Sequence, residues 1–279
     1  MTVDVVPKVK SRLRLWHEMG AAYAFVERNV FLMRRYWAWE AAFTVYMLAS
    51  SLSVMYIGKA QEVNQDYLVL YLGIGTLVWS YLRTVFSIIS EMIAWERWEG
   101  TIEYTMMAPV SRLTHLLGVS LFSVFYGLLR SALLLGAIAL LFDLELDGAN
   151  LAGAMLVLAV GSLSFIGVGM MAAVLPLLFT ERGDEMTFTI SSVLLLVSGV
   201  YYPVTVLPNW MQPVARVSPA TYVLEGMRAA ILDGAPVTAL WPSLWPTLVI
   251  GLVTIPAGVL VFSFVERYAK RTGRLKRSG

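Results

Sequence analysis

The chain of 279 residues is 58% hydrophobic and only 14% charged, with a net charge of +2 and a mean hydropathy of +0.69. Soluble domains contain about a quarter of charged residues, so this composition excludes an ordinary soluble domain and predicts an integral membrane protein. The absence of cysteine excludes disulfide bonds, thiolate nucleophiles and thiolate metal sites.

An amphipathic helix is predicted at 15–37, ahead of the first long apolar run. Apolar residues recur there at steps of three and four, and arginine and glutamate residues flank the apolar stripe. A helix of this kind is expected to lie along the membrane surface. It could be only an anchor for the first span, or it could also pack against a cytoplasmic partner.

Six transmembrane helices are predicted, which makes the fold class all-α. A helix that crosses a bilayer needs about 20 mostly apolar residues. The runs that meet this requirement are 38–58, 67–93, 112–142, 149–180, 186–206 and 240–266. The whole chain, 1–279, is therefore interpreted as a single transmembrane domain.

The distribution of lysine and arginine predicts the orientation. With the N-terminus in the cytoplasm, sixteen of these residues lie on the cytoplasmic side and three lie outside. Cytoplasmic loops of membrane proteins are enriched in positive charge, so both termini are expected inside, including a basic tail at 267–279.

The segment 207–233 is then extracellular, and it contains a helix too short to cross a membrane. Ser218 and Pro219 are typical of a helix start, and Gly234 and Pro236 of a stop. The sequence predicts a re-entrant hairpin that enters the outer leaflet. Irregular backbone at that depth requires burial in protein or a cavity.

Two arginines, Arg83 and Arg130, lie near the middles of the second and third spans. A central arginine is costly and usually faces protein or water. Both could line a path for an anionic or amphiphilic substrate. Alternatively, they could pair with backbone carbonyls, or Arg83 could pair with Glu91.

Catalytic motifs are missing from the sequence. His17 and Glu18 begin like a zinc-protease helix, but Ala21 stands where the second histidine ligand is required. The sequence also contains no phosphate-binding loop of the type GxxxxGK[ST]. We therefore predict no enzymatic site, no metal site and no cofactor bound by this chain.

A charged patch follows the second span, at 94–108. Trp95, Trp98, Ile102 and Met106 recur at steps of three and four, which predicts a short helix with one apolar and one charged face. Pro109 is expected to end this helix, and Ser111 to cap the next. The helix could simply lie solvated on the membrane, or it could dock an energy-supplying partner.

The residue order in this patch resembles the ABC-2 family of permeases, the transmembrane subunits of ATP-binding-cassette transporters. The first matching motif consists of Glu96, Arg97, Gly100, Thr101, Glu103, Met106, Ala108, Pro109, Val110, Ser111 and Arg112. The second consists of Ser198, Gly199, Pro203, Leu207, Pro208, Trp210, Met211, Ser218, Pro219, Thr221, Tyr222 and Arg228. Ser218 departs from the asparagine of many family members.

The resemblance implies that 94–108 is a coupling helix and that 15–37 is a connecting helix, both touching a cytoplasmic ATPase. The implied coupling residues are Glu96, Arg97, Trp98, Glu99, Gly100, Thr101, Ile102 and Glu103. The implied substrate pathway and dimer seam contain Phe43, Tyr46, Trp79, Arg83, Phe86, Phe188 and Leu195. An extracellular gate is expected at Gly199, Tyr201, Tyr202 and Pro203, although both tyrosines could belong only to the interfacial aromatic belt.

The expected function is export of a hydrophobic or amphiphilic substrate, such as a drug, lipid or glycolipid, across the cytoplasmic membrane of a prokaryote. The implied partners are two ATPase subunits, which hold the ATP and Mg²⁺, a second permease copy and the lipid bilayer, with no nucleic acid. Polysaccharide or lipo-oligosaccharide export on the same fold is the alternative. An ATP-independent secondary transporter is a more remote one.

Overall fold

The computed structural model describes residues 11–142, 148–179 and 182–273. Within these ranges the structure is helical and contains no strand. The α-helices are α1 (Ser11–Arg35), α2 (Trp37–Lys59), α3 (Gln65–Glu99), α4 (Ile102–Met107), α5 (Arg112–Leu141), α6 (Leu151–Ala172), α7 (Val174–Leu178), α8 (Gly183–Val197), α9 (Gln212–Val217), α10 (Pro219–Ile231) and α11 (Trp241–Arg271). Two short 3-10 helices lie at Val204–Val206 and Val237–Leu240.

Five helical segments of the described chain are long and apolar enough to cross a membrane. They are Trp37–Lys59, Gln65–Glu99, Arg112–Leu141, Leu151–Leu178 and Val237–Arg271. The protein is thus an all-helical, multi-pass membrane protein, as its composition predicted.

The predicted fifth span, 186–206, differs in the structure. Helix α8 ends at Val197, so its 15 residues extend over about 22 Å at 1.5 Å per residue. The hydrocarbon core of a bilayer is about 30 Å thick. After Val197 the backbone turns at Gly199, whose φ of +69° lies in the left-handed region. Helix α8 is therefore too short to count as the predicted sixth transmembrane helix by its length alone.

Other boundaries also shift. The second predicted span continues without interruption into the patch, because α3 extends to Glu99. The fourth is divided at Ala173 into α6 and α7, ahead of Pro176. Helix α11 continues to Arg271, so the start of the predicted tail is helical, while 274–279 lie outside the described residues.

The two ends of the bundle carry different elements. One end, here called the α1 end, contains α1, α4, α7 and the C-terminus of α11. Lys270 of α11 donates to the Met106 carbonyl of α4, and Arg112 of α5 connects both helices through Thr105 and Glu266. The opposite end, here called the hairpin end, contains α9 and α10, two short helices that meet at Ser218 within the segment 207–233.

Helix α3 lies at the centre of the bundle and contacts α2, α5, α6, α7, α8 and α10. Its buried side chains, including Val85, Phe86 and Ile89, belong to the main apolar core. The most extensive contact between two of the described helices joins α6 to α11. Small residues allow this approach, because membrane helices associate through close packing and not through exclusion of water.

Candidate functional site

The predicted coupling segment, 94–108, is two helical pieces and not one helix. The last turn of α3 ends at Gly100, which has a left-handed φ of +77°. The Thr101 amide donates to the Glu96 carbonyl at 2.8 Å, the long bond of a Schellman motif. Helix α4 follows and ends ahead of Pro109, and the Ser111 hydroxyl accepts from the Thr114 amide at 3.1 Å as an N-cap.

The neighbouring helices hold α4 in place through its carbonyl oxygens. Arg112 of α5 donates to the carbonyls of Thr105 and Met106, and Lys270 of α11 donates to Met106 at 3.1 Å. Arg112 and Lys270 also form salt bridges with the buried carboxylate of Glu266, at 2.8 and 2.7 Å. Two charged side chains therefore provide hydrogen bonds to carbonyl oxygens at the C-terminal end of α4, which have no partner within the helix.

Glu96 and Arg97 are buried within the chain, although the family resemblance implied that both contact the ATPase. Glu96 is 2% exposed and forms a salt bridge of 2.5 Å with Arg28 of α1, and its carboxylate lies 3.3 Å from His115 of α5. Arg97 is equally buried and donates to the carbonyl of Leu177 in α7. Both charges are used inside the chain, because a buried charge requires a partner.

The exposed surface of the coupling segment is aromatic, apolar and acidic. Trp98, Tyr104 and Met107 are 64%, 75% and 71% exposed, and they are accompanied by the exposed Glu103 and by the half-buried Glu99, which accepts from the Tyr36 hydroxyl. We call Trp98, Glu99, Glu103, Tyr104 and Met107 the coupling patch. Tyr104 and Met107 were not among the predicted site residues, since their place in the helical period does not distinguish them from buried neighbours.

Three further predicted coupling residues have different surroundings. Ile102 is buried in the main core of the chain, and its side chain is not exposed on the coupling patch. Thr101 is exposed, and with Arg35, Trp98 and Glu99 it lines a shallow cleft of about 380 Å³. Gly100 provides the left-handed turn that separates the two helices.

The predicted seam residues divide into two groups. Phe43 and Tyr46 of α2 and Phe188 of α8 are exposed, and Leu195 of α8 is half-buried. Trp79 and Phe86 are buried in the core around α3. Their spacing along α3 is compatible both with burial in the core and with a position on the seam.

Arg83 is a residue of α3, and its side chain contacts α8. Its guanidinium carbon is 5.2 Å from the centre of the Phe188 ring, a cation–π contact. No direct ion pair joins Arg83 to Glu91 in the described part of the chain. Together with Ser87 and Glu91, Arg83 forms a less buried polar stripe on an otherwise buried helix.

Arg130 has a different environment on α5. Its guanidinium lies 5.5 Å from the ring of Tyr126, whose hydroxyl donates to Glu40 of α2. Glu40 is an acidic residue near Arg130 that the sequence had not indicated.

The predicted gate residues lie together in a bend, residues 198–203, that follows α8. The Tyr202 hydroxyl donates to the Leu196 carbonyl at 2.5 Å, and Tyr201 packs against the main core. Ser198 and Ser218 share a hydrogen bond of 2.7 Å, which connects the bend to the start of α10. Pro203 is exposed.

The exposed coupling patch therefore lies at the α1 end, whereas the bend lies at the hairpin end. Among the described residues no group of three or more histidine or acidic side chains could hold a metal ion.

Comparison with known proteins identifies the family of this chain. The family model described as ABC-2 type transporter matches residues 21–232. The chain is 24% identical over 179 residues to the probable multidrug ABC transporter permease YbhR of Escherichia coli strain K12 and, equally, to that of strain O157:H7. The match covers 64% of this chain and 48% of each relative, so the chain spans about half the length of the curated relatives it matches.

Proposed function

Since the chain belongs to the ABC-2 type transporter family, we propose that it is the permease subunit of an exporter for hydrophobic or amphiphilic substrates, driven by a separate ATPase. Members of this family generally work with an ATPase subunit. The proposed complex contains two copies of this chain and two ATPase subunits in the cytoplasmic membrane of a prokaryote. ATP and Mg²⁺ are bound by the ATPase, since the sequence contains no phosphate-binding loop.

The coupling patch is the observation that carries this proposal. Large aromatic and apolar side chains exposed at the end of a membrane protein are typical of a protein interface, where a few buried aromatic residues contribute most of the binding energy. Glu99 and Glu103 add charges that can set the orientation of a partner. The patch also rests on a rigid frame, because Arg112 and Lys270 hold α4 from two neighbouring helices.

The proposed orientation puts the α1 end in the cytoplasm, where an ATPase can reach the coupling patch. It is supported by the excess of positive residues on that side of the chain. The hairpin end is then extracellular, with the bend as the proposed gate.

The proposed pathway follows the exposed faces of α2 and α8. Phe43, Tyr46 and Phe188 present apolar surface, and Arg83 provides a single positive charge beside Phe188. This combination favours a hydrophobic or amphiphilic cargo over a bare polysaccharide chain. The name of the E. coli relatives, probable multidrug permease, supports the same class of cargo.

The docking role is tested by the double variant Trp98→Ala, Tyr104→Ala. We expect the binding of the ATPase to weaken by about thirtyfold or more, because even one interface aromatic that becomes buried contributes about 2 kcal/mol or more. The measurement is the amount of ATPase that co-purifies with the tagged chain, together with its ATP turnover.

The matched control is the double variant Trp241→Ala, Tyr56→Ala, which removes exposed aromatics at the hairpin end. It should retain the ATPase. Full assembly and ATP-coupled transport with the coupling patch variant would show that the ATPase docks elsewhere.

The gate role is tested by Tyr201→Ala and Tyr202→Ala, measured separately. We expect transport or basal ATP turnover to change several-fold, while the complex with the ATPase remains assembled, because both residues lie at the end opposite to the coupling patch. Normal transport by both variants would assign these tyrosines to the aromatic belt at the membrane surface.

A further inference from the structure

Arg228 of α10 is half-buried, and its hydrogen bonds and its aromatic contact are all made to other elements. Its two terminal nitrogens donate to the carbonyls of Gly199 and Val200, at 3.0 and 2.6 Å. Its guanidinium carbon lies 3.6 Å from the centre of the Tyr71 ring in α3. One side chain therefore connects α10, the bend and α3.

The geometry of these contacts requires an arginine. The planar guanidinium donates to two carbonyls at once and still presents a face to an aromatic ring, whereas a lysine ammonium is a point charge. Gly199 and Val200 lie inside the bend, where no helix satisfies their carbonyls. Arg228 thus provides hydrogen bonds that the backbone conformation of the bend lacks.

Two further contacts fix the same point. A Cβ atom on Gly75 of α3 would lie 2.2 Å from the Val200 carbonyl oxygen, so α3 approaches the bend as closely as a glycine allows. Ser198 is hydrogen-bonded to Ser218 at the start of α10. The bend is consequently attached to α10 at two places, and Val200 is completely buried.

We infer that Arg228 is a positioning residue that clamps the bend to α10 and α3, so that the bend opens only when these contacts break or all three elements move together. The consequence for transport rests on the proposed function, in which the bend is the gate. The clamp itself is a property of the chain without its ATPase and without substrate.

The natural absence of cysteine allows a direct test. A single cysteine is introduced at the buried Val200, and the rate of maleimide labelling is measured on the full chain in lipid nanodiscs, where both ends are accessible. A second single-cysteine chain, Val206→Cys, reports reagent access, because Val206 is 70% exposed and lies beyond the bend.

In the Val200→Cys chain, Arg228→Gln is expected to raise the labelling rate by about tenfold or more, since local opening no longer breaks the two charged hydrogen bonds. Arg228→Lys should give an intermediate rate, because lysine can restore one of the two bonds. The matched control is Arg216→Gln, which removes an exposed arginine from α9 of the same hairpin and should leave the rate unchanged.

Equal labelling rates with Arg228 and with Arg228→Gln would overturn the clamp. If Arg228→Gln does not insert into membranes, Arg228→Lys and Tyr71→Leu provide the same comparison, and unchanged rates in both would overturn it. The clamp and the proposed function fail separately. Faster labelling without any change in ATP-coupled transport keeps the clamp but removes the bend from the transport cycle.

Discussion

Replacing Glu96 by glutamine is expected to lower the stability of the chain by about 2–3 kcal/mol, although Glu96 belongs to a motif that the sequence assigned to docking. Glutamine keeps the size of the side chain and removes its charge, so Arg28 and His115 lose their common anion. Removing one member of a buried ion pair costs about 3–5 kcal/mol, and partial exposure of Arg28 reduces that value. The measurement is the midpoint of heat-induced loss of the monodisperse protein in detergent, which should fall by about 5 °C or more.

Glu103→Gln is the matched control, because Glu103 belongs to the same motif but is exposed. Its stability should change by no more than about 0.5 kcal/mol. The double variant Glu96→Gln, Arg28→Gln should lose less stability than the sum of the losses in the two single variants, because both substitutions remove the same salt bridge. Weaker ATPase binding by Glu96→Gln at unchanged stability would instead favour a direct contact with the partner.

Replacing Gly167 by alanine is expected to disrupt the contact between α6 and α11. An added Cβ atom would lie 2.1 Å from the Thr254 hydroxyl oxygen and 2.6 Å from the Thr254 backbone carbon, so one helix must move. Overpacking of a well-packed interior costs about 1–3 kcal/mol, and a contact with backbone places this variant at the upper end. Thermal stability and the yield of monodisperse protein measure the effect.

Gly136→Ala provides the matched comparison on α5. No atom lies within 4 Å of its added Cβ, so this variant should be neutral or more stable by up to about 1 kcal/mol, through the better helix propensity of alanine. Similar stability for both variants would mean that α6 and α11 approach each other less closely than described.

The membrane-spanning helices could be predicted from the sequence, but not all of their ends. Long apolar runs mark α2, α3, α5, α6 and α11, since the bilayer requires about 20 such residues. The end of α8 was missed because the apolar run continues past Val197 to Val206. Contacts with distant residues, such as Arg228 on Gly199, stabilise the bend there, and no local pattern reports them.

The coupling segment shows a similar limit. The steps of three and four from Trp95 to Met106 continue through Gly100, so they suggested one helix where a left-handed glycine separates two. The role of Glu96 could not be found because Arg28 is 68 residues away in sequence. Exposure of Trp98 and burial of Ile102 depend on where α4 packs, which periodicity does not determine.

Helix α3 gives the molecule a mechanical lever. Its 35 residues extend without a break over about 52 Å, well beyond the roughly 30 Å hydrocarbon core. Trp98 lies at one end, and Gly75, some 35 Å away at this rise per residue, touches the carbonyl that Arg228 holds. A tilt of about 10° displaces one end of such a rod by about 9 Å relative to the other. In the proposed complex, a displacement of Trp98 by the ATPase would be transmitted to the bend through one uninterrupted helix.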